Sequence, residues 1–209
     1  MERREALKNI GFGSAALFTS SVLFGALQSC SSVPKVNWVP TYFSPEEAAQ
    51  IEKICEGICP KTETPGALEA GVPAHIDAAM TVMGNEPEAE LLKKGMAVFV
   101  ENFNSNQEVS IYEASTEQMT EVINDYFTRY NEDQSIFGKM REAMGTNDGS
   151  DMAPELLEAF FVSQIVDSTF WSYFTSELVG EKVMRYDPVP VNYNGCIPYE
   201  PGTKSWSSV

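Results

Sequence analysis

Pro154-Glu155-Leu156-Leu157-Glu158-Ala159-Phe160-Phe161-Val162-Ser163-Gln164-Ile165-Val166-Asp167-Ser168-Thr169-Phe170-Trp171-Ser172-Tyr173-Phe174-Thr175-Ser176 is the stretch that decides the fold. Leu156, Leu157, Phe160, Phe161, Ile165, Phe170, Trp171 and Phe174 cover most of the circumference of a helix drawn through it. A helix that is apolar nearly all round is packed on several sides, so other elements should gather about this one. Its aromatics therefore read as core and not as a cofactor-binding box. No strand-like alternation persists elsewhere, and no internal repeat is visible. The expected fold class is all-α, in a single helical domain.

The segments upstream carry helix signals of their own. Ser44-Pro45-Glu46-Glu47 combines an N-cap serine, a first-turn proline and a glutamate at the capping-box position. Ala48, Ile51, Ile54, Cys55 and Ile58 follow at helical spacing, and Pro60 closes the helix. In Thr62-Glu63-Thr64-Pro65-Gly66-Ala67, the Pro-Gly pair fixes a sharp bend. A short helix is expected over 73–83, broken at Gly84-Asn85, and another over 88–104 with Leu91, Leu92, Met96, Val98 and Phe99 as its apolar residues. Ser115 or Thr116 can cap a helix running to Tyr130 that lines up Met119, Val122, Ile123, Tyr126 and Phe127. Residues 133–145 add a further helix.

Beyond Gly180 the pattern changes. Pro188, Pro190, Pro198, Pro201 and Gly202 mark an irregular, extended C-terminal arm that carries Tyr186, Tyr193, Tyr199 and Trp206. Such an arm either wraps a partner or packs back on its own helices. Tyr186, Pro188, Pro190 and Tyr193 are the candidate partner contacts.

The first thirty residues read as an export signal. Arg3 and Arg4 sit in a short charged start, an apolar run diluted by Gly and Ser covers 10–27, and Leu27-Gln28-Ser29-Cys30 closes it. Arg3-Arg4-Glu5-Ala6-Leu7-Lys8 resembles a twin-arginine (Tat) signal, with Ala6 where a Phe is usual. Leu27-Gln28-Ser29-Cys30 resembles a lipobox, which would make Cys30 the lipidated first residue of the mature chain. The alternatives are an ordinary secretory signal, or one uncleaved membrane helix, for which about 20 apolar residues suffice. Gly11, Gly13 and Gly25 make the run a poor permanent anchor. The expected organisation is a signal over 1–29, a tether over 30–43 and the helical domain over 44–209. The expected location is the periplasmic side, as an exported, membrane-anchored lipoprotein. Because Tat carries folded cargo, such a signal points to something assembled before export.

Formal net charge is −16, and the leader holds one more basic residue than acidic, so the mature chain is more negative still. That excludes nucleic acid, whose binding rests on Lys and Arg at phosphates. With Cys30 acylated, Cys55, Cys59 and Cys196 remain, an odd number that implies an unbonded thiol or a bond to another chain. Cys55 and Cys59 lie one helical turn apart, where a disulfide would be strained. Cys196, in the arm, is the candidate for an intersubunit disulfide. Glu117 and Glu121 form an i, i+4 pair of like charge that reads as a solvated helix face. His75, the chain's one histidine, has no recognisable nucleophile or metal partner and reads as structural. No catalytic residue, cofactor-binding residue or metal ligand is identified in this chain.

Two further stretches carry a resemblance. One is Ile58-Cys59-Pro60-Lys61-Thr62-Glu63-Thr64-Pro65-Gly66-Ala67-Leu68-Glu69-Ala70-Gly71-Val72-Pro73, continuing into Ile76-Asp77. The other is Phe174-Thr175-Ser176-Glu177-Leu178-Val179-Gly180, then Tyr186-Asp187-Pro188-Val189-Pro190, Tyr193 and Gly195-Cys196-Ile197-Pro198. In order and place they resemble the gluconate 2-dehydrogenase subunit 3 family over most of residues 43–206. Asp187-Pro188 and Val191-Asn192 depart from its pattern, standing where members tend to carry an apolar residue and Gly. The resemblance implies a non-catalytic small subunit with no cofactor of its own. Its implied partner is a large flavoprotein of the glucose–methanol–choline oxidoreductase type, which carries FAD and lacks an export signal, and a cytochrome c is the candidate electron acceptor. The small subunit would supply the signal and help the large one mature, and the lipobox would tether the complex. The competing readings are a surface lipoprotein that binds a glycan or protein through its tail aromatics, and a hydrolase using paired carboxylates.

Overall fold

A computed structural model describes residues 34–84, 86–147, 152–185, 196, 198 and 200–206. Among these, seven helices follow one another: α1 Pro45–Ile58, α2 Val72–Met83, α3 Glu86–Gln107, α4 Thr116–Glu132, α5 Ser135–Asn147, α6 Pro154–Phe174 and α7 Glu177–Lys182. The architecture is all-α, as the sequence implies. None of these helices is long and apolar enough to cross a membrane.

Local chemistry sets the helix starts. Ser44 Oγ accepts from Glu47 N–H at 3.2 Å while the Glu47 carboxylate accepts from Ser44 N–H at 2.8 Å, so both partners of the capping box are in place. Ser115 and Gln118 repeat the device at α4. The turn after α1 is built on Glu56, whose carboxylate accepts from Lys61 N–H and Leu68 N–H, each at 3.1 Å.

Helix α6 is the hub and packs on α1, α2, α3, α5 and α7. Its closest neighbour is α3, because Gly95 lets the two backbones meet. A Cβ at Gly95 would stand 2.3 Å from Leu157 O and 2.7 Å from Phe161 Cβ. Around that crossing Phe99 and Phe161 are fully buried with ring centroids 5.5 Å apart, and Phe99 also meets Tyr126 at 5.7 Å. A small polar cluster sits beside this core. Glu158 is buried and accepts from Asn102 Nδ2 at 2.9 Å and from the Tyr126 hydroxyl.

The end of the stretch read as a tether is packed, not free. Asp77 on α2 is buried, and its carboxylate accepts from Thr41 N–H at 2.8 Å, Thr41 Oγ1 at 2.6 Å, Tyr42 N–H at 3.0 Å and Phe43 N–H at 2.9 Å. Trp38 donates to Glu52 at 2.9 Å, Tyr42 donates to Ala89 O at 2.8 Å, and Phe43 is buried. Residues 38–43 thus form a strap across the helices.

At the other end, Arg185 N–H donates to Ser205 O at 2.8 Å, and its guanidinium lies 4.1 Å from the centre of the Trp206 ring. The described end of the arm returns to the base of α7. Tyr186, Pro188, Pro190 and Tyr193 lie outside the described residues, as do Arg3, Arg4 and Cys30.

Candidate docking face and cleft

Helix α6 divides along its length. Phe160, Phe161, Val162, Ile165 and Val166 are buried as expected, but Phe170, Trp171 and Phe174 are not core residues: they are 42 %, 52 % and 44 % exposed. The reason is the bundle's extent. The α3 crossing is centred on Leu157 and Phe161, on the first half of α6. On the second half only one side is covered, through Thr169, Ser172 and Tyr173, whose hydroxyl donates to Pro65 O at 2.7 Å. Phe170 and Phe174 stack on each other with centroids 6.3 Å apart and planes at 16°. Phe127 on α4, placed by its spacing on one face with Met119, Val122, Ile123 and Tyr126, is 40 % exposed.

His75 is exposed, and its ring stacks on Trp171 at 5.1 Å with planes 21° apart. It acts as a prop that holds the indole. The aromatic face thus comprises Phe170, Trp171, Phe174 and His75, drawn from α6 and α2. Ser168, Asp167 and Gln164 stand three, four and seven residues before Trp171 and share its side of the helix. Those polar neighbours were the signal that this face turns away from the core.

A cleft of about 300 Å³ opens beside Trp171. Ile76, Ala79 and Met80 from α2, Leu92 from α3, and Met140 and Met144 from α5 supply apolar walls. From α6 come Gln164, Ser168 and Ser172. Ser172 is 1 % exposed, and its Oγ has no hydrogen-bond partner among the described residues. Buried hydroxyls are nearly always satisfied in native proteins, so this one is left to pair with whatever enters the cleft, water included.

The remaining candidates are structural. Cys55 and Cys59 are buried thiols with no bond between them. Burial pushes Cys55 up to about 12, against a contact to Thr169 Oγ1 that favours the thiolate, and burial followed by the nearby Glu56 pushes Cys59 up to about 11. Both are neutral and unreactive at ordinary pH. Burial, then its bond to Glu158, raises the Tyr126 hydroxyl. Glu117 and Glu121 face solvent, as read from the sequence. Cys196 is exposed. Among the described residues no cluster of three or more His, Cys, Asp or Glu side chains could hold a metal ion.

The model of one family, gluconate 2-dehydrogenase subunit 3, matches residues 45–192. The chain belongs to that family. The match begins on the first residue of α1 and runs through all seven helices, so the gluconate 2-dehydrogenase subunit 3 family is defined by this bundle and the start of its arm. Membership carries a subunit 3-like role beside a larger dehydrogenase subunit. No curated protein and no solved structure matches the chain.

Proposed function

We propose that the chain is the non-catalytic small subunit of an exported FAD-dependent sugar or polyol dehydrogenase, docked to a flavoprotein large subunit through the aromatic face of α6. The observation that carries the reading is Phe170, Trp171 and Phe174 standing exposed together in a family of complex-forming subunits. Large aromatics grouped on a surface are the residues that anchor protein interfaces, and they are not needed for solubility. In this proposal Arg3 and Arg4 direct Tat export of the assembled pair. Cys30 carries the lipid that holds the complex at the periplasmic side of the membrane, and the chain helps its partner mature. FAD resides in the large subunit, and a cytochrome c takes the electrons onward. Cys196, exposed in the arm with Tyr186, Pro188, Pro190 and Tyr193 as neighbouring contacts, forms a disulfide to the large subunit.

Affinity isolation of the mature chain from its native membrane, followed by a visible absorption spectrum, tests this. A co-purifying large subunit with flavin bands is the expected result. A colourless chain isolated alone would overturn it. For the disulfide, Cys196→Ser should abolish the high-mass band on non-reducing denaturing gels, and an unchanged band would remove that element of the proposal.

A further inference from the structure

The cleft beside Trp171 has a pattern that the aromatic face alone does not explain. Gln164, Ser168 and Ser172 recur every four residues along α6, a rise of about 6 Å per step. Main-chain groups on one edge of an extended peptide recur every two residues, or about 6.6 Å. The opposite wall is apolar and includes Met80, Met140 and Met144, whose unbranched side chains adapt to irregular shapes. Glu88 is the single charged residue among the lining residues, in a chain of net charge −16. The cleft is therefore a trough that carries one carboxylate, with a row of hydrogen-bonding groups on one side and a mostly apolar wall on the other.

That combination selects among occupants. A helix keeps its main-chain groups paired within itself, so it could meet this row only through side chains. An alkyl chain offers no hydrogen-bonding group at all. An extended peptide offers an N–H or C=O at each step and places alternate side chains against the apolar wall.

We propose that this cleft receives an extended segment of the larger dehydrogenase subunit, with apolar side chains at alternate positions and main-chain groups paired to Gln164, Ser168 and Ser172. The assignment rests on the reading of the chain as the small subunit of a complex. Trp171 lines the cleft and also belongs to the exposed aromatic face, so the two surfaces form one continuous interface.

The test uses the full chain assembled with its large subunit. A benzophenone side chain placed at Gln164 should photo-cross-link to one contiguous stretch of the large subunit, identified by mass spectrometry of the digest. Ala79→Trp, which fills the cleft, should weaken association at least tenfold while leaving the helix content of the isolated chain unchanged. Ser172→Ala removes the unsatisfied hydroxyl. It should raise the melting temperature of the isolated chain and yet weaken the complex about threefold to tenfold, two shifts of opposite sign. Cross-links that return to this chain's own arm or to a second copy would overturn the proposal. So would full affinity in both variants, although a complex that still forms would leave the small-subunit reading standing. Failure of the two chains to associate at all would remove both.

Discussion

Replacing Asp77 with asparagine would turn an amide N–H toward donors in residues 41–43 that now meet a carboxylate. Hydrogen bonds to a charged group are worth about 1.5–3 kcal/mol, so Asp77→Asn should cost roughly that much in denaturant unfolding. Burial alone would raise this carboxyl, but the bonds from Phe43, Thr41 and Tyr42 outweigh it and hold it below the usual range. A depressed carboxylate contributes its stability above the unfolded-state value, about 3.9, and loses it as pH falls through the folded value. The acid limb of the stability curve should therefore flatten in Asp77→Asn, with little change near neutral pH in its slope. A second outcome belongs at this scale. In the folded, reduced protein Cys196 should alkylate readily, because it is exposed, while Cys55 and Cys59 should react only on unfolding. Equal rates at all three would contradict the packing around α1. None of Asp77's role was legible in the sequence, since its donors lie more than thirty residues away and all but the Thr41 hydroxyl belong to the main chain.

Helices show the opposite balance. Ser44, Pro45 and Glu47 announce α1 because a cap is a local device, complete within four residues, and the sequence contains all of it. Ser44→Ala should cost about 0.5–2 kcal/mol, read from the shift in urea midpoint at constant m-value. The crossing of α3 and α6 was not legible, because a glycine inside a helix does not say what approaches it. Gly95→Ala puts a methyl group against the Leu157 carbonyl and should destabilise by about 1–3 kcal/mol by overpacking, despite alanine's better helix propensity. A stabilised Gly95→Ala variant in thermal melts would show that the crossing is looser than described. Helix α6 was read correctly as central and wrongly as buried to its end. Its apolar content shows no turning point, whereas Asp167, three residues before Phe170, marks where the core stops covering it.

For the molecule as a whole, the substitutions that matter to stability and those that matter to assembly fall in different places. Trp171→Ala with Phe174→Ala should leave the melting temperature nearly unchanged, since both side chains are about half exposed, yet weaken co-purification of the large subunit at least tenfold. Loss of folding in that double variant would return these rings to the core and remove the docking face. The all-α class and the family were legible because they rest on helix periodicity and on contiguous motifs. The cleft was not, since four separate helices meet to make it. The strap on Asp77 has one more consequence, a mechanical one. Any tension on the chain ahead of residue 35 reaches Trp38, Tyr42 and the Asp77 bonds before it reaches Pro45. The strap works as a strain relief, as a clamp does on a cable: a pull from the N-terminal side loads the clamp and the three helices it grips before it can unwind α1 from Pro45.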